Sequence, residues 1–177
     1  ALLAKEEGTY PAYKEEAVLN SEYLNKVATE ETRKMIKKYG LRNSQLLTIA
    51  PTGSISNLLG ISGGIEPIFD ISYTRKTETL YNEDVSYEIF TPIAERYMSK
   101  KGIYSKEDLP EIFVTAHSLD PKERIDMQSK WQKYIDASIS STINLHNSAT
   151  VEDIKEIYMY AWKQGLKGVT IYRDGCA

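Results

Sequence analysis

The sequence contains very little cysteine and histidine: one cysteine, Cys176, and two histidines, His117 and His146. A single cysteine excludes an intrachain disulfide and a cysteine-rich metal site, and it is typical of a reducing compartment, which predicts a cytoplasmic location. Neither histidine has a histidine, cysteine or carboxylate partner at the spacing of a metal-ligand motif. We therefore predict a structural or exposed role for both histidines, and no metal site.

Long apolar runs are also missing, and no stretch reaches the length needed to cross a bilayer. The first residues become acidic too early for a signal peptide. Charge is balanced, with 22 Lys and Arg against 25 Asp and Glu, which argues against direct binding of nucleic acid. With 41% hydrophobic residues, the 177-residue chain predicts a single globular domain over residues 1–177, without a membrane partner.

The most informative stretch present is an apolar run followed by a small, hydroxyl-rich loop. Residues 45–50 predict a strand covered on both faces, and residues 55–59 predict the start of a short helix after Pro51, Thr52, Gly53 and Ser54. The first N–H groups of a helix lack internal partners, and the helix dipole favours negative charge there. Glycine lets the backbone approach a ligand, and hydroxyls can donate to phosphate oxygens. This pattern is typical of an anion site.

An ordinary strand-to-helix turn, in which a serine or threonine caps the helix, explains the same residues. The Walker A spacing and its lysine are both missing. Local chemistry alone therefore leaves the anion site and the plain turn open.

The remaining periodicity predicts alternating helices and strands. Apolar spacing and capping residues indicate helices at 29–39, 83–100 (interrupted at Pro92), 121–134 and 150–164, and strands at 68–75 and 166–172. Strands that alternate with helices imply βαβ crossovers. The predicted class is α/β, with a parallel or mixed sheet.

Several motifs match a known family in order and spacing. They are GLRN at 40–43, LTIAPTGSIS at 47–56, GIEPIF at 64–69, STINL at 141–145 and GLKGVTIYRDG at 165–175. Together they resemble the large-chain ribonucleotide reductases, most of all the adenosylcobalamin-dependent (class II) branch. The resemblance covers most of residues 8–176 and is weakest in 78–135.

The resemblance implies a fold and partners. The fold would be the C-terminal part of the ten-stranded α/β barrel that ribonucleotide reductases share with glycyl-radical enzymes, incomplete in this chain. The remainder of a parent chain would then be the main partner. Because an open barrel exposes sheet edges, a homodimer is a further possibility.

The resemblance also implies a role for the hydroxyl-rich loop. In the family, a loop at this position holds the diphosphate of a ribonucleoside diphosphate through backbone amides and hydroxyls. The residues that inherit this role are Pro51, Thr52, Gly53, Ser54 and Ile55, with Ser56 as a neighbouring donor.

Other parts of the family's site have no counterpart here. Its radical cysteine, two reducing cysteines, and assisting asparagine and glutamate are expected upstream, and Cys176 matches none of them. No catalytic residue is therefore expected in this chain. Thr170 and Ile171 stand where the iron-dependent branch has a radical-relaying tyrosine pair. Their presence favours the branch that uses adenosylcobalamin, whose contacts are expected elsewhere.

The resemblance thus implies part of a ribonucleoside-diphosphate reductase, which converts ribonucleotides to deoxyribonucleotides by a thiyl-radical mechanism. This chain would supply the diphosphate-binding loop, lack the radical cysteine and be inactive in isolation. Two alternatives stay open: a non-catalytic nucleotide- or phosphate-binding domain, and a regulatory paralogue. An upstream finger-loop cysteine would argue against the first, and the absence of pyrophosphate binding would favour the second.

Overall fold

A computed structural model describes residues 1–78 and 84–176. The helices are α1 (Leu2–Glu7), α2 (Glu15–Leu19), α3 (Glu22–Val27), α4 (Glu30–Tyr39), α5 (Gly53–Leu59), α6 (Pro92–Lys101), α7 (Pro121–Gln132) and α8 (Val151–Lys163), with a 3-10 turn at Lys106–Asp108. The strands are β1 (Ser72–Glu78), β2 (Asp84–Phe90), β3 (Thr142–Leu145) and β4 (Thr170–Arg173).

The strands form two separate two-stranded sheets within the described residues. β1 and β2 pair antiparallel, from Ser72 opposite Phe90 onward. β3 and β4 pair parallel around α8, with Leu145 opposite Arg173. The β3–α8–β4 unit confirms the predicted βαβ pattern at this end of the chain. The two sheets do not join, so the described residues form an open arrangement rather than a closed barrel.

The main core fills the space between this βαβ unit and α7. Ile125 and Ile143 are fully buried, and Ile157 and Ala161 of α8 pack against them. A capping box begins α8, because Thr150 accepts from the Asp153 backbone while the Asp153 side chain accepts from the Thr150 backbone. Apolar spacing and capping therefore place α8 as the sequence predicts.

A smaller core joins the N-terminal helices. α4 begins at Thr29, whose hydroxyl accepts from the Thr32 backbone N–H at 3.2 Å, and it ends before Gly40 with φ 76°. Leu24, Ile36 and Leu41 form the buried centre of this cluster. The helix predicted at 29–39 is confirmed.

The strand predicted at 45–50 is wrong in its central feature, which is coverage on both faces. Leu46 and Leu47 are 44% and 52% exposed, and the pairing is reduced to one parallel bridge between Ile49 and Ile139. The backbone N–H groups of Leu46 and Leu47 donate to the two carboxylate oxygens of Asp136, at 2.7 and 2.6 Å. A carboxylate therefore occupies amides that a neighbouring strand would otherwise use.

The helix predicted at 83–100 is wrong in its first half. Residue 83 lies outside the described residues, 84–90 form β2, and only Pro92–Lys101 is helical. Proline fits the first turn of a helix, where its missing N–H costs nothing. Tyr87 and Phe90 suit a helical face by spacing, but pairing with β1 decides their conformation. The strand predicted at 68–75 is confirmed only from Ser72 onward.

Candidate functional site

The hydroxyl-rich loop leads directly into α5, which begins at Gly53, two residues before the predicted start. Thr52 occupies the N-cap position, but its hydroxyl makes no capping bond to the helix. Instead its Oγ1 accepts from the backbone N–H of Gly64 at 3.0 Å. This bond ties the beginning of α5 to the glycine pair that follows the helix, so the loop closes on itself.

The first-turn amides of α5 have no protein partner among the residues that the structure describes. Within the described chain, the backbone N–H groups of Gly53, Ser54 and Ile55 donate to no protein acceptor, whereas the next amide, Ser56, donates to Thr52 O at 2.8 Å. These are the orphan donors that every helix leaves in its first turn. The loop thus presents three adjacent donors available to a ligand.

The surface around these amides is open at Gly53 and crowded at Gly63. A β-carbon built at Gly53 would meet no atom within 4 Å, whereas at Gly63 it would lie 3.1 Å from Ser56 Oγ and 3.2 Å from Thr52 Oγ1. Gly63 therefore allows the loop to pack, whereas a side chain at Gly53 would project into open space.

The six predicted loop residues differ in their availability. Pro51, Gly53, Ser54 and Ile55 are exposed and Thr52 is half-buried. Ser56 is buried, and its hydroxyl donates to Gly53 O at 2.9 Å. The structure therefore brings the predicted backbone donors together but engages the Ser56 hydroxyl within the first turn.

The loop forms one wall of an open cleft with a volume of about 1430 Å³. Thr52 and Gly53 line it from one side, and Asn144 of β3 and Arg96 of α6 line other parts. The Arg96 side chain is exposed, and its Nε donates to Pro92 O at 3.2 Å. The guanidinium group of Arg96 places a positive charge at the cleft, and its remaining N–H groups can donate to an anionic ligand.

Glu66 connects the loop region to the βαβ unit. Its carboxylate accepts from the backbone N–H of Thr142, at the start of β3. Nearby, the buried Arg124 of α7 donates to Asn144 Oδ1 at 3.2 Å. Burial lowers the pKa of Arg124, and the negative charge of Glu66 acts in the opposite direction. This arrangement favours a structural role for Glu66.

Sequence reasoning does not identify Arg124, which belongs to none of the motifs, and it assigns no role to Asn144, although Asn144 lies within the STINL motif. It also misses a cluster formed by His117, His146 and Asp174, whose ligand atoms all lie within 4.8 Å of one another. Neither histidine has a partner at metal-ligand spacing in the sequence, but the fold places a carboxylate and the second histidine beside His117. The three residues are distant in sequence, and only the pairing of β3 with β4 brings two of them together.

No helix in the described part of the chain has the length and hydrophobicity to cross a membrane.

Comparison with known proteins gives a consistent result. The family model "Ribonucleotide reductase, barrel domain" matches residues 1–172. The vitamin B12-dependent ribonucleoside-diphosphate reductase of Thermoplasma acidophilum is 35% identical over 97% of this chain, which spans 22% of that relative. The enzyme of the same name from Mycobacterium tuberculosis (strain CDC 1551 / Oshkosh) is 32% identical over 98% of the chain and 25% of its own length.

A relative with a different name also matches. The ribonucleoside-diphosphate reductase subunit alpha of Chlamydia trachomatis is 27% identical over 99% of the chain and 20% of its own length. This chain therefore spans about a fifth to a quarter of the curated relatives it matches.

Proposed function

This chain belongs to the ribonucleotide reductase family, within its barrel domain, and on that premise we propose that it is the diphosphate-binding part of a ribonucleoside-diphosphate reductase. The observation that carries the proposal is the set of three amides at Gly53, Ser54 and Ile55 that have no protein acceptor among the described residues, the first of them at the wall of the cleft. The parent enzyme would reduce ribonucleotides to deoxyribonucleotides by a thiyl-radical mechanism.

Backbone donors suit the proposed substrate for a chemical reason. An amide N–H binds a phosphate oxygen by charge-assisted hydrogen bonding and makes no contact with the base. A reductase that accepts several nucleotides needs a phosphate site that does not discriminate between bases. The hydroxyl of Ser54 is an additional donor, while the bond from Gly64 to Thr52 holds the loop in shape.

The open sheets support the proposal that the chain completes a barrel with other segments. Leu46 and Leu47 are exposed although they belong to an apolar run. We propose that strands from the remainder of the parent chain cover this run and complete a ten-stranded barrel. The radical cysteine would lie on such a segment, because Cys176 follows β4 and does not line the cleft.

Adenosylcobalamin is the proposed cofactor of the parent enzyme, in line with the names of the two most similar relatives quoted above. When bound, it would supply the radical that starts the reduction. The cleft offers space, but none of the described residues around it forms a donor set specific to a corrin. We therefore assign no residue of this chain to the cofactor.

Calorimetric titration of pyrophosphate and ADP tests the proposed loop. We expect both ligands to bind the 177-residue chain, whereas adenosine does not, because the diphosphate carries the recognition. In Gly53→Val, a branched side chain stands at the first of the three amides and should hinder the approach of a phosphate. It meets no protein atom within 4 Å, so affinity should fall by about tenfold or more without loss of folding.

Gly168→Val is the matched control, because a β-carbon at Gly168 also meets nothing within 4 Å and Gly168 does not line the cleft. It should bind pyrophosphate like the unmodified chain. Equal affinity in Gly53→Val and Gly168→Val, or no binding of pyrophosphate at all, would contradict the proposed loop. Formation of deoxynucleotide by the 177-residue chain alone would contradict the expected need for the rest of the enzyme.

A further inference from the structure

Three potential metal ligands converge at the end of the parallel sheet. His117 Nε2 lies 3.7 Å from Asp174 Oδ1, and His146 Nδ1 lies 4.0 Å from Asp174 Oδ2. The two imidazole rings are 5.2 Å apart between centroids and inclined by 34°. We propose that His117, His146 and Asp174 form a binding site for a divalent transition-metal ion of the Zn²⁺ class.

The fold explains why these residues meet. β3 and β4 run parallel, so their carboxyl ends lie at the same edge, and His146 and Asp174 are the residues that follow each strand. The Asp174 backbone N–H donates to Leu145 O at 3.0 Å, which extends the ladder by one step and fixes the two side chains beside each other. The pairing register therefore sets two of the three ligands.

Contacts on a different side hold the third ligand. The backbone N–H of Ala116 donates to Ile68 O at 2.8 Å, which anchors the residue before His117. The His117 ring packs edge-on against Phe69, with ring centroids 5.2 Å apart. The His117 side chain is only 22% exposed, compared with 70% for His146. The site thus combines the packed imidazole of His117 with the exposed imidazole of His146, which has room to change its orientation.

The distances suit an ion better than direct hydrogen bonds. Separations of 3.7 and 4.0 Å between the ligand atoms exceed hydrogen-bond length. The two imidazole nitrogens approach different oxygens of Asp174, and one ligand atom from each residue lies within 4.8 Å of the others. Ligand atoms about 2.1 Å from a tetrahedral ion lie about 3.4 Å apart, so binding needs an inward movement of up to about 1.4 Å. Two imidazoles and one carboxylate are a set that binds Zn²⁺ and similar ions, and three protein ligands leave a position open.

The surroundings also indicate how tightly the ion would bind. His117 Nδ1 is buried, and no hydrogen-bond partner for it exists among the described residues. Metal-binding histidines usually donate their second N–H to an acceptor, which strengthens the site. We therefore expect a dissociation constant in the micromolar range rather than the nanomolar range.

The test uses the 177-residue chain without an affinity tag, after treatment with a chelator. Calorimetry with Zn²⁺ should give one ion per chain, and Co²⁺ should produce visible absorption bands typical of nitrogen and oxygen ligands. His146→Gln and Asp174→Asn should each weaken binding by about tenfold or more. Because His146 is exposed, His146→Gln should keep the circular dichroism spectrum unchanged.

Cys176→Ser is the matched control, because Cys176 is exposed, lies two residues beyond Asp174 and is a potential ligand in its own right. It should bind Zn²⁺ like the unmodified chain. Absence of binding at about 100 μM Zn²⁺ would overturn the proposal. So would binding that disappears in Cys176→Ser and survives in His146→Gln and Asp174→Asn.

Discussion

The β3–α8–β4 unit and the loop around Gly53 differ in how their polar backbone groups are satisfied. In the former, strand pairing and helix capping occupy the amides, and Ile143 is fully buried. In the latter, three adjacent amides have no protein acceptor within the described residues, and Gly53 faces open space. The difference is that one region uses its amides to stabilise the fold, whereas the other leaves amides unused within the described residues, as the proposed diphosphate loop requires.

The largest expected effect lies in the core of the βαβ unit. Ile143→Ala should lower the free energy of unfolding by about 2–5 kcal/mol, because it leaves a cavity at a fully buried position. Leu58→Ala in α5 should change it by less than about 0.5 kcal/mol, since Leu58 is 86% exposed. Denaturant unfolding of the two variants measures the difference. Equal losses of unfolding free energy in the two variants would contradict the distinction between the β3–α8–β4 unit and the loop around Gly53.

The hydrogen bond between Glu66 and Thr142 joins the loop region to the β3–α8–β4 unit, and its loss should have the next largest effect on stability. Glu66→Ala leaves the partly buried N–H of Thr142 without its acceptor and removes the negative charge near Arg124. We expect a loss of about 1–3 kcal/mol in unfolding free energy. Pyrophosphate affinity, measured by calorimetry, should also fall, because the segment after the loop loses its anchor.

Glu66→Gln is the matched control for this bond. Its amide oxygen can still accept from Thr142, so stability should return in large part toward that of the unmodified chain. If Glu66→Gln is as unstable as Glu66→Ala, the effect comes from charge near Arg124 rather than from the hydrogen bond.

A smaller effect is expected at the start of α8. Thr150→Ala removes the hydroxyl that accepts from the Asp153 backbone at 3.2 Å, and an N-cap of this kind contributes about 1 kcal/mol. Thermal unfolding measures the loss. Pyrophosphate binding should be unchanged, because α8 does not line the cleft. A change in affinity would show that the two regions are coupled.

The smallest effect is a pH dependence within the same capping box. Hydrogen bonds from Thr150 lower the pKa of the Asp153 carboxyl below its ordinary value of 3.8. The carboxylate therefore stabilises the fold above that value, and the contribution is lost as pH falls through the lowered pKa. Asp153→Asn should be less stable than the unmodified chain at about pH 6, and the gap should narrow near pH 3. A gap that is constant with pH would contradict this origin.

Local rules predict much of the fold. Thr29, Asp120 and Thr150 each begin a helix where capping chemistry places them. The errors occur where distant pairing decides the structure: β2 stands within a helical pattern because it pairs with β1, and Leu46 and Leu47 are exposed although their composition predicts burial. Contacts between segments far apart in sequence cannot be read from local periodicity.

The functional residues also divide into those that local sequence predicts and those that depend on distant contacts. The amides after Pro51 that lack partners among the described residues are predictable, because every helix leaves its first N–H groups without internal partners. The cluster of His117, His146 and Asp174 is not, because the register of β3 and β4 brings His146 beside Asp174 and the bond from Ala116 to Ile68 holds His117 in place. The family is predictable from motifs, and the match over residues 1–172 confirms it.

Amide nuclear magnetic resonance tests the central claim most directly. In a nitrogen-labelled sample titrated with pyrophosphate, the N–H signals of Gly53, Ser54 and Ile55 should shift most, with saturation at one ligand per chain. Amides of the capped helix α8, such as that of Ile157, should stay in place. If the three loop signals do not move while pyrophosphate binds elsewhere, the loop is an ordinary turn and the proposed function of this chain is contradicted.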